Sequence, residues 1–266
     1  MHAGQFSDQT VFYYVKTVLL PGIKMTGCCT LPPREAPAIP LWINGRPVLA
    51  MPREFNEIRD AATQRLIRRV PMVDQELAAS AILNANQSQR LPAAAAKEFL
   101  HALLLALEEL EAHFSGLSAV ESHTHLDAGK ADVANAIANV KTLMAQPVVD
   151  NAEFTAHKSV LALAGSGMPL SAAIKLVLPI VVNGGAVTLV PDANAASCAL
   201  ALAELCGQCG LPDGAFNVIY VRDPVALPLV NEPGLAQVRL FGPSAWAQRW
   251  QTAALSWTVP CELVLA

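Results

Sequence analysis

From about His157 onward, short and wholly apolar runs alternate with helical stretches, a rhythm that few folds accept. "SVLALAG" (159–165) reads as a strand, 170–182 as a helix, 186–190 as a strand, 193–207 as a helix and 216–220 as a strand. A short helix near 224–231, the strand "AQVRLFG", the helix "SAWAQRWQTAALS" and a last strand "VPCELVL" follow. Strands that do not alternate apolar with polar residues are buried on both faces. Interleaved with helices, they require crossovers of one hand and a parallel sheet. The expected fold class is therefore α/β: a doubly wound, Rossmann-like parallel sheet of five strands.

The first half reads differently. Residues 1–40 form an expected flexible leader ending in the proline-rich "LPPREAPAIP". "LWINGRPVLA" predicts a hairpin, because Asn44-Gly45 suits a turn in which both central residues need positive φ. "RLIRRVPM" is expected to continue that small sheet. Helices follow from Asp74, an expected N-cap, then from Pro92 through "PAAAAKEFLHALLLALEELEAHF", then over about 130–144. The expected partition is a leader over 1–40, a hairpin and helical segment over 41–150, and the α/β core over 151–266.

Composition excludes several classes. Hydrophobic residues make up 53% and charged residues 15%, so the chain has the means to build a large core. With a formal net charge of −4 and no basic run, it carries no nucleic-acid footprint. "VFYYVKTVLLPGI" is too short to span a bilayer, and a cytoplasmic protein without membrane partners is expected. The pair Cys206/Cys209 is spaced C-x-x-C, but no second pair completes a zinc site. It reads as apolar filling on a helix. "HTHLD" places His123, His125 and Asp127 on a connection between helices with no further ligands nearby, so no metal is expected.

In such a sheet, ligands bind beyond the carboxyl ends of the strands. Those ends bring forward Gly165, Ser166, Gly167 and Met168, then Pro191 and Asp192, then Arg222 and Asp223, then Gly242, Pro243 and Ser244, and finally Glu262. A pyrophosphate needs free backbone N–H groups, commonly from a glycine-rich turn that opens a helix. "GSGMPL" is glycine-rich without being G-x-G-x-x-G, and Pro243 removes a donor from the last turn. The residues expected to meet a cofactor are Ser166, Pro191, Asp192, Gly242 and Ser244.

The serial order of several stretches resembles the amino-terminal half of the aldehyde dehydrogenase superfamily. "WINGRPV" is similar to that family's opening hairpin. "DAATQRLIRRVP" and "AGKADVANAIANVK" are similar to the segments before its cofactor domain. "PLSAAIKLVLPIVVNGGAVTLVPDA" and "CGLPDGAFNVI" resemble the core of that domain. The resemblance implies an NAD- or NADP-binding fold, but the functional positions depart from the family pattern. The oxyanion asparagine falls at Gly167, the ribose-binding lysine at Val190 and a nearby glutamate at Ala193. The serine of the phosphate turn falls at Pro243. "VPCELVL" resembles the stretch that carries the general-base glutamate, which places that residue at Glu262.

By this resemblance the nucleophilic cysteine belongs to a catalytic domain beyond Ala266. Cys261 adjoins Glu262, but strand neighbours point to opposite faces. The expectation is a truncated, non-catalytic relative with weak or absent NAD or NADP binding and an interaction role. It would associate with itself or with a full-length relative. The alternative expectation is the cofactor-binding half of a split NAD(P)-dependent aldehyde oxidoreductase whose partner supplies the cysteine.

Overall fold

The computed structural model describes residues 37–59, 64–148, 158–165 and 167–264. The expected leader falls outside them up to residue 36, and so does Ser166. Strands β1 (Leu41–Ile43) and β2 (Arg46–Val48) form the anticipated hairpin. Its turn has φ of 54° at Asn44 and 71° at Gly45, the conformation that Asn-Gly supplies at least cost. Strand β4 (Leu66–Met72) does not extend this hairpin, contrary to expectation. It pairs with β3 (Glu54–Arg59) in a separate two-stranded sheet. The residues of β3, "EFNEIR", are mostly exposed or half-buried and show no apolar signal.

Among the described residues, four helices precede the core. Helix α1 (Gln75–Gln87) is capped by Asp74, whose Oδ1 accepts from the Leu77 N–H at 3.0 Å. The long helix expected from Pro92 is two helices, α2 (Ala93–Glu109) and α3 (Glu111–Glu121), which meet at Leu110. Helix α4 (Leu126–Ala145) begins several residues before the predicted start. Gly129, within its first turn, marks a close approach to α3. A Cβ on it would lie 2.1 Å from the Ser115 carbonyl oxygen of α3.

The core follows the predicted rhythm. It runs β5 (Ser159–Ala164), α5 (Pro169–Val181), β6 (Val187–Val190), a short 3₁₀ turn at Ala193–Ala195, α6 (Ala196–Gln208) and β7 (Phe216–Val218). It continues with α7 (Asp223–Leu229), β8 (Leu235–Phe241), α8 (Ser244–Ala254) and β9 (Cys261–Leu263). The sheet order is β2-β1-β7-β6-β5-β8-β9. Its five core strands are parallel, as expected, and β1 adds the hairpin antiparallel to β7 through Trp42 and Val218.

Burial explains the continuous apolar runs. Every residue of β6 is buried, as is nearly every residue of α5, which packs against β5, β6 and β8 on one side and α4 and α6 on the other. Helix α1 lies across β5, β6 and β7 beside α7, completing a second helical layer. Strand order reverses between β5 and β8. At that switch point the helices following the two strands diverge, and a crevice is expected beyond the strand ends.

Candidate functional site

The crevice at the switch point is filled by one side chain. The indole of Trp246, on α8, lies against Gly165 at the end of β5 and Gly242 at the end of β8. A Cβ on Gly165 would come within 3.0 Å of the ring, and one on Gly242 within 2.7 Å of the ring and 3.1 Å of the Gly165 Cα. The glycine at 242 thus accommodates an aromatic ring from its own chain. Trp246 leans on Trp250 at 5.9 Å between ring centroids, and Trp250 on Trp257 at 6.2 Å, so an aromatic row fixes α8 over the strand ends.

Beside Trp246 a cleft of about 430 Å³ remains open over the ends of β5, β6 and β7. Its floor includes Leu163, Val190 and Pro191, and its polar rim Asn56, Asp192, Asn194, Arg222 and Asp223. Trp246 and Trp250 close one side. The rim charges already have partners within the fold. Arg222 donates from Nε and Nη2 to Glu54 Oε1 at 2.9 and 2.6 Å. Asp192 Oδ1 accepts from the Asn194 N–H at 2.8 Å and caps the 3₁₀ turn. Asp223 lies 4.0 Å from Arg249.

The two helix N-termini that could hold an anion after β5 and β6 are occupied by internal carboxylates. At α5, buried Asp132 accepts from the Leu170 N–H at 3.0 Å and the Ser171 N–H at 3.1 Å. The Ser118 hydroxyl donates to it at 2.8 Å, and the Ser171 hydroxyl donates as well. At α6, Glu121 accepts from the Ser197 N–H at 2.6 Å and the Cys198 N–H at 3.0 Å. Arg68 stands 3.8 Å from Glu121 and hydrogen-bonds Ser197 Oγ. Burial pushes the Glu121 carboxyl above its ordinary range, and the N–H groups of Cys198 and Ser197 pull it partly back. Both carboxylates satisfy backbone donors that a phosphate would otherwise need. Sequence reasoning missed them, although both interrupt the buried face of a helix. Asp132 sits in line with Val133, Ala136 and Val140, and Glu121 with Phe114, Leu117 and Ser118.

The other sequence-predicted positions are spread around this region. Pro191 and Asp192 line the cleft. Gly242 lies under Trp246, and Ser244 is the exposed first residue of α8, outside the cleft lining. Gly167 has a φ of 128° and no side chain to aim at an oxyanion; with Asp192, Glu121 and His123 it borders a second hollow of about 90 Å³. Val190, at the position implied for a ribose-binding lysine, is buried.

Glu262 stands apart from the cleft lining. It faces Arg239 across the β8–β9 register. Arg239 Nη2 donates to Glu262 Oε1 at 3.2 Å, and Nε stands 3.0 Å from Oε2 as an ion pair out of line for a hydrogen bond. Gln237 Nε2 donates to the same Oε2 at 2.9 Å. The Cys261 thiol is pushed up by partial burial, the wrong direction for a nucleophile. Cys206 is likewise raised, by burial and then by Cys209 beside it. Among the described residues, no three His, Cys, Asp or Glu side chains gather where they could hold a metal, and no helix is long and apolar enough to cross a membrane.

Comparison with known proteins places the fold and the family. The chain is 25% identical over 264 residues to a peroxisomal aminoaldehyde dehydrogenase 2 of Malus domestica, covering 87% of this chain and 51% of the relative. It thus spans about half the length of the curated relatives that it matches over most of its own. Lactaldehyde dehydrogenase from Escherichia coli superposes with a TM-score of 0.76 at 19% identity, over 87% of this chain and 53% of that one. The NADP complex of NADP-dependent glyceraldehyde-3-phosphate dehydrogenase from Bacillus halodurans gives 0.75 at 20% identity, over 86% and 53%. Together with a match of residues 50–263 to the model of the aldehyde dehydrogenase family, these findings establish that the chain belongs to that family.

Proposed function

We propose that this chain is a degenerate aldehyde dehydrogenase cofactor domain. It performs no aldehyde oxidation by itself, holds NAD or NADP weakly or not at all, and serves as a cytoplasmic interaction module. The observation that carries this reading is the environment of Glu262. A general base must stand beside the water and the substrate it acts on. Glu262 lies outside the cleft lining, and its carboxylate, which accepts from Arg239 and Gln237, ties an edge strand to its neighbour. Gly167 offers no side-chain donor to a developing oxyanion, where losing one donor costs roughly 10²–10³ in rate.

The residues present do not fit a dinucleotide well. Trp246 occupies the switch-point crevice, Asp132 and Glu121 cap the neighbouring helix N-termini, and Pro243 has no N–H to offer. The same proposal includes association with a second copy or a full-length relative, to which exposed Leu49, Met51 and Leu255 are available.

The open cleft beside Asp192 favours a second reading, in which the chain is the cofactor-binding part of a split NAD(P)-dependent aldehyde oxidoreductase. Calorimetric titration with NAD and NADP separates the two. Affinity weaker than millimolar supports the first reading, and micromolar binding by either nucleotide replaces it with the second.

A further inference from the structure

We propose that the cleft beside Trp246 is a binding site for a small planar organic cation, not for a nucleotide phosphate. This inference rests on the reading that the cofactor site has degenerated, and it names what the remaining space selects.

The cleft is poor in cationic groups and in free backbone N–H groups, its neutral side-chain donors being the amides of Asn56 and Asn194. Two of the turns that line it carry a proline, Pro191 after β6 and Pro224 at the start of α7. Each removes a backbone N–H from the place where an anion would look for one. The N–H of Asn194 is spent on Asp192, and those of Val225 and Ala226 on the Arg222 carbonyl. No lysine lies among the described residues that line the cleft. Its single guanidinium, Arg222, is held by Glu54 through two hydrogen bonds.

The cleft is also rich in what a cation seeks. Asp192 and Asp223 stand on the rim, and Asp223 has only a long 4.0 Å contact to Arg249. Trp246 and Trp250 provide the wall. An indole face attracts a cation through its quadrupole and accepts any flat apolar ring. The volume, about 430 Å³, lies within the range of small-molecule sites and has room for a bicyclic ring.

The test uses one ring system in three charge states against the full chain in a calorimeter: 1-methylquinolinium, quinoline and quinoline-2-carboxylate, with NAD as a separate arm. The expected order is cation, then neutral ring, then anion. The cation should bind about tenfold tighter than quinoline, from the cation–π contact and two rim carboxylates together. Asp192→Asn with Asp223→Asn, both at exposed or half-exposed positions, should abolish that preference. Trp246→Leu should weaken all three ligands, with circular dichroism confirming that each variant folds.

Equal affinities, tighter binding of the carboxylate, no binding by any of the three, or a preference unchanged in the folded aspartate variant would each overturn the proposal. The NAD arm is independent. If NAD binds at micromolar concentration, the degenerate-site reading falls. If NAD and the three rings are all silent, that reading stands and the cation site alone is lost.

Discussion

Arg239 and Glu262 offer an asymmetric test of whether Glu262 ties β9 to β8. The guanidinium side is buried, at 9% exposure, whereas the carboxylate side is 46% exposed. Removing one partner of a fully buried pair costs about 3–5 kcal/mol, and of an exposed pair about 0.2–1 kcal/mol. Glu262→Ala strands the buried charge with only a 3.5 Å contact from Nη1 to the Leu176 carbonyl. Partial access of water places the expected cost between those limits, at about 2 kcal/mol. Arg239→Met leaves the half-exposed carboxylate free to hydrate and fills the space with a flexible apolar chain, so it should cost less than about 1 kcal/mol. Urea unfolding of both variants and the double variant, followed by circular dichroism, measures these values and their coupling. If Glu262→Ala is neutral, or Arg239→Met is the more damaging change, Glu262 is not the structural tie described above.

Three further outcomes follow from particular contacts. Gly242→Ala sets a Cβ 2.7 Å from the Trp246 ring, so thermal unfolding should show a loss of about 1–3 kcal/mol that largely disappears in a Trp246→Ala background. Because burial raises the folded-state value of Glu121, its ionised form is penalised at neutral pH, and the penalty is relieved as pH falls through the raised value toward the ordinary 4.5. Wild type should therefore gain stability relative to Glu121→Gln over that interval, and a relative loss would reverse the sign of the account. Burial raises the thiols of Cys198, Cys206, Cys209 and Cys261, so peptide mapping after iodoacetamide at neutral pH should find them labelled much more slowly in the native chain than in urea. Rapid native labelling of Cys261 would revive it as a nucleophile.

The α/β core was legible because parallel strands buried on both faces leave unbroken apolar runs, as in β5 and β6, and glycine or proline marks their ends. The hairpin was legible from one dipeptide, Asn44-Gly45. Strand β3 was not, since its polar residues pair with β4 through backbone bonds that composition does not reveal. The break at Leu110 lacks glycine or proline on either side, so nothing divided α2 from α3. At the site, the strand-end rule led to Pro191 and Asp192, but it did not show what fills the crevice. Only the folded chain reveals that Trp246 reaches two glycines and that strand register sets Arg239 opposite Glu262. Buried acids such as Asp132 look like surface residues until the element they cap is in place.

The central claim is that this scaffold keeps the architecture of its family without working chemistry of its own. Aldehyde-dependent reduction of NAD and NADP by the purified chain, followed continuously across short aliphatic, aromatic and amino-substituted aldehydes, tests it most directly. The account predicts no reduction above the protein-free rate. Turnover that depends on the aldehyde, and that stops on thiol alkylation or in Glu262→Gln, would contradict it.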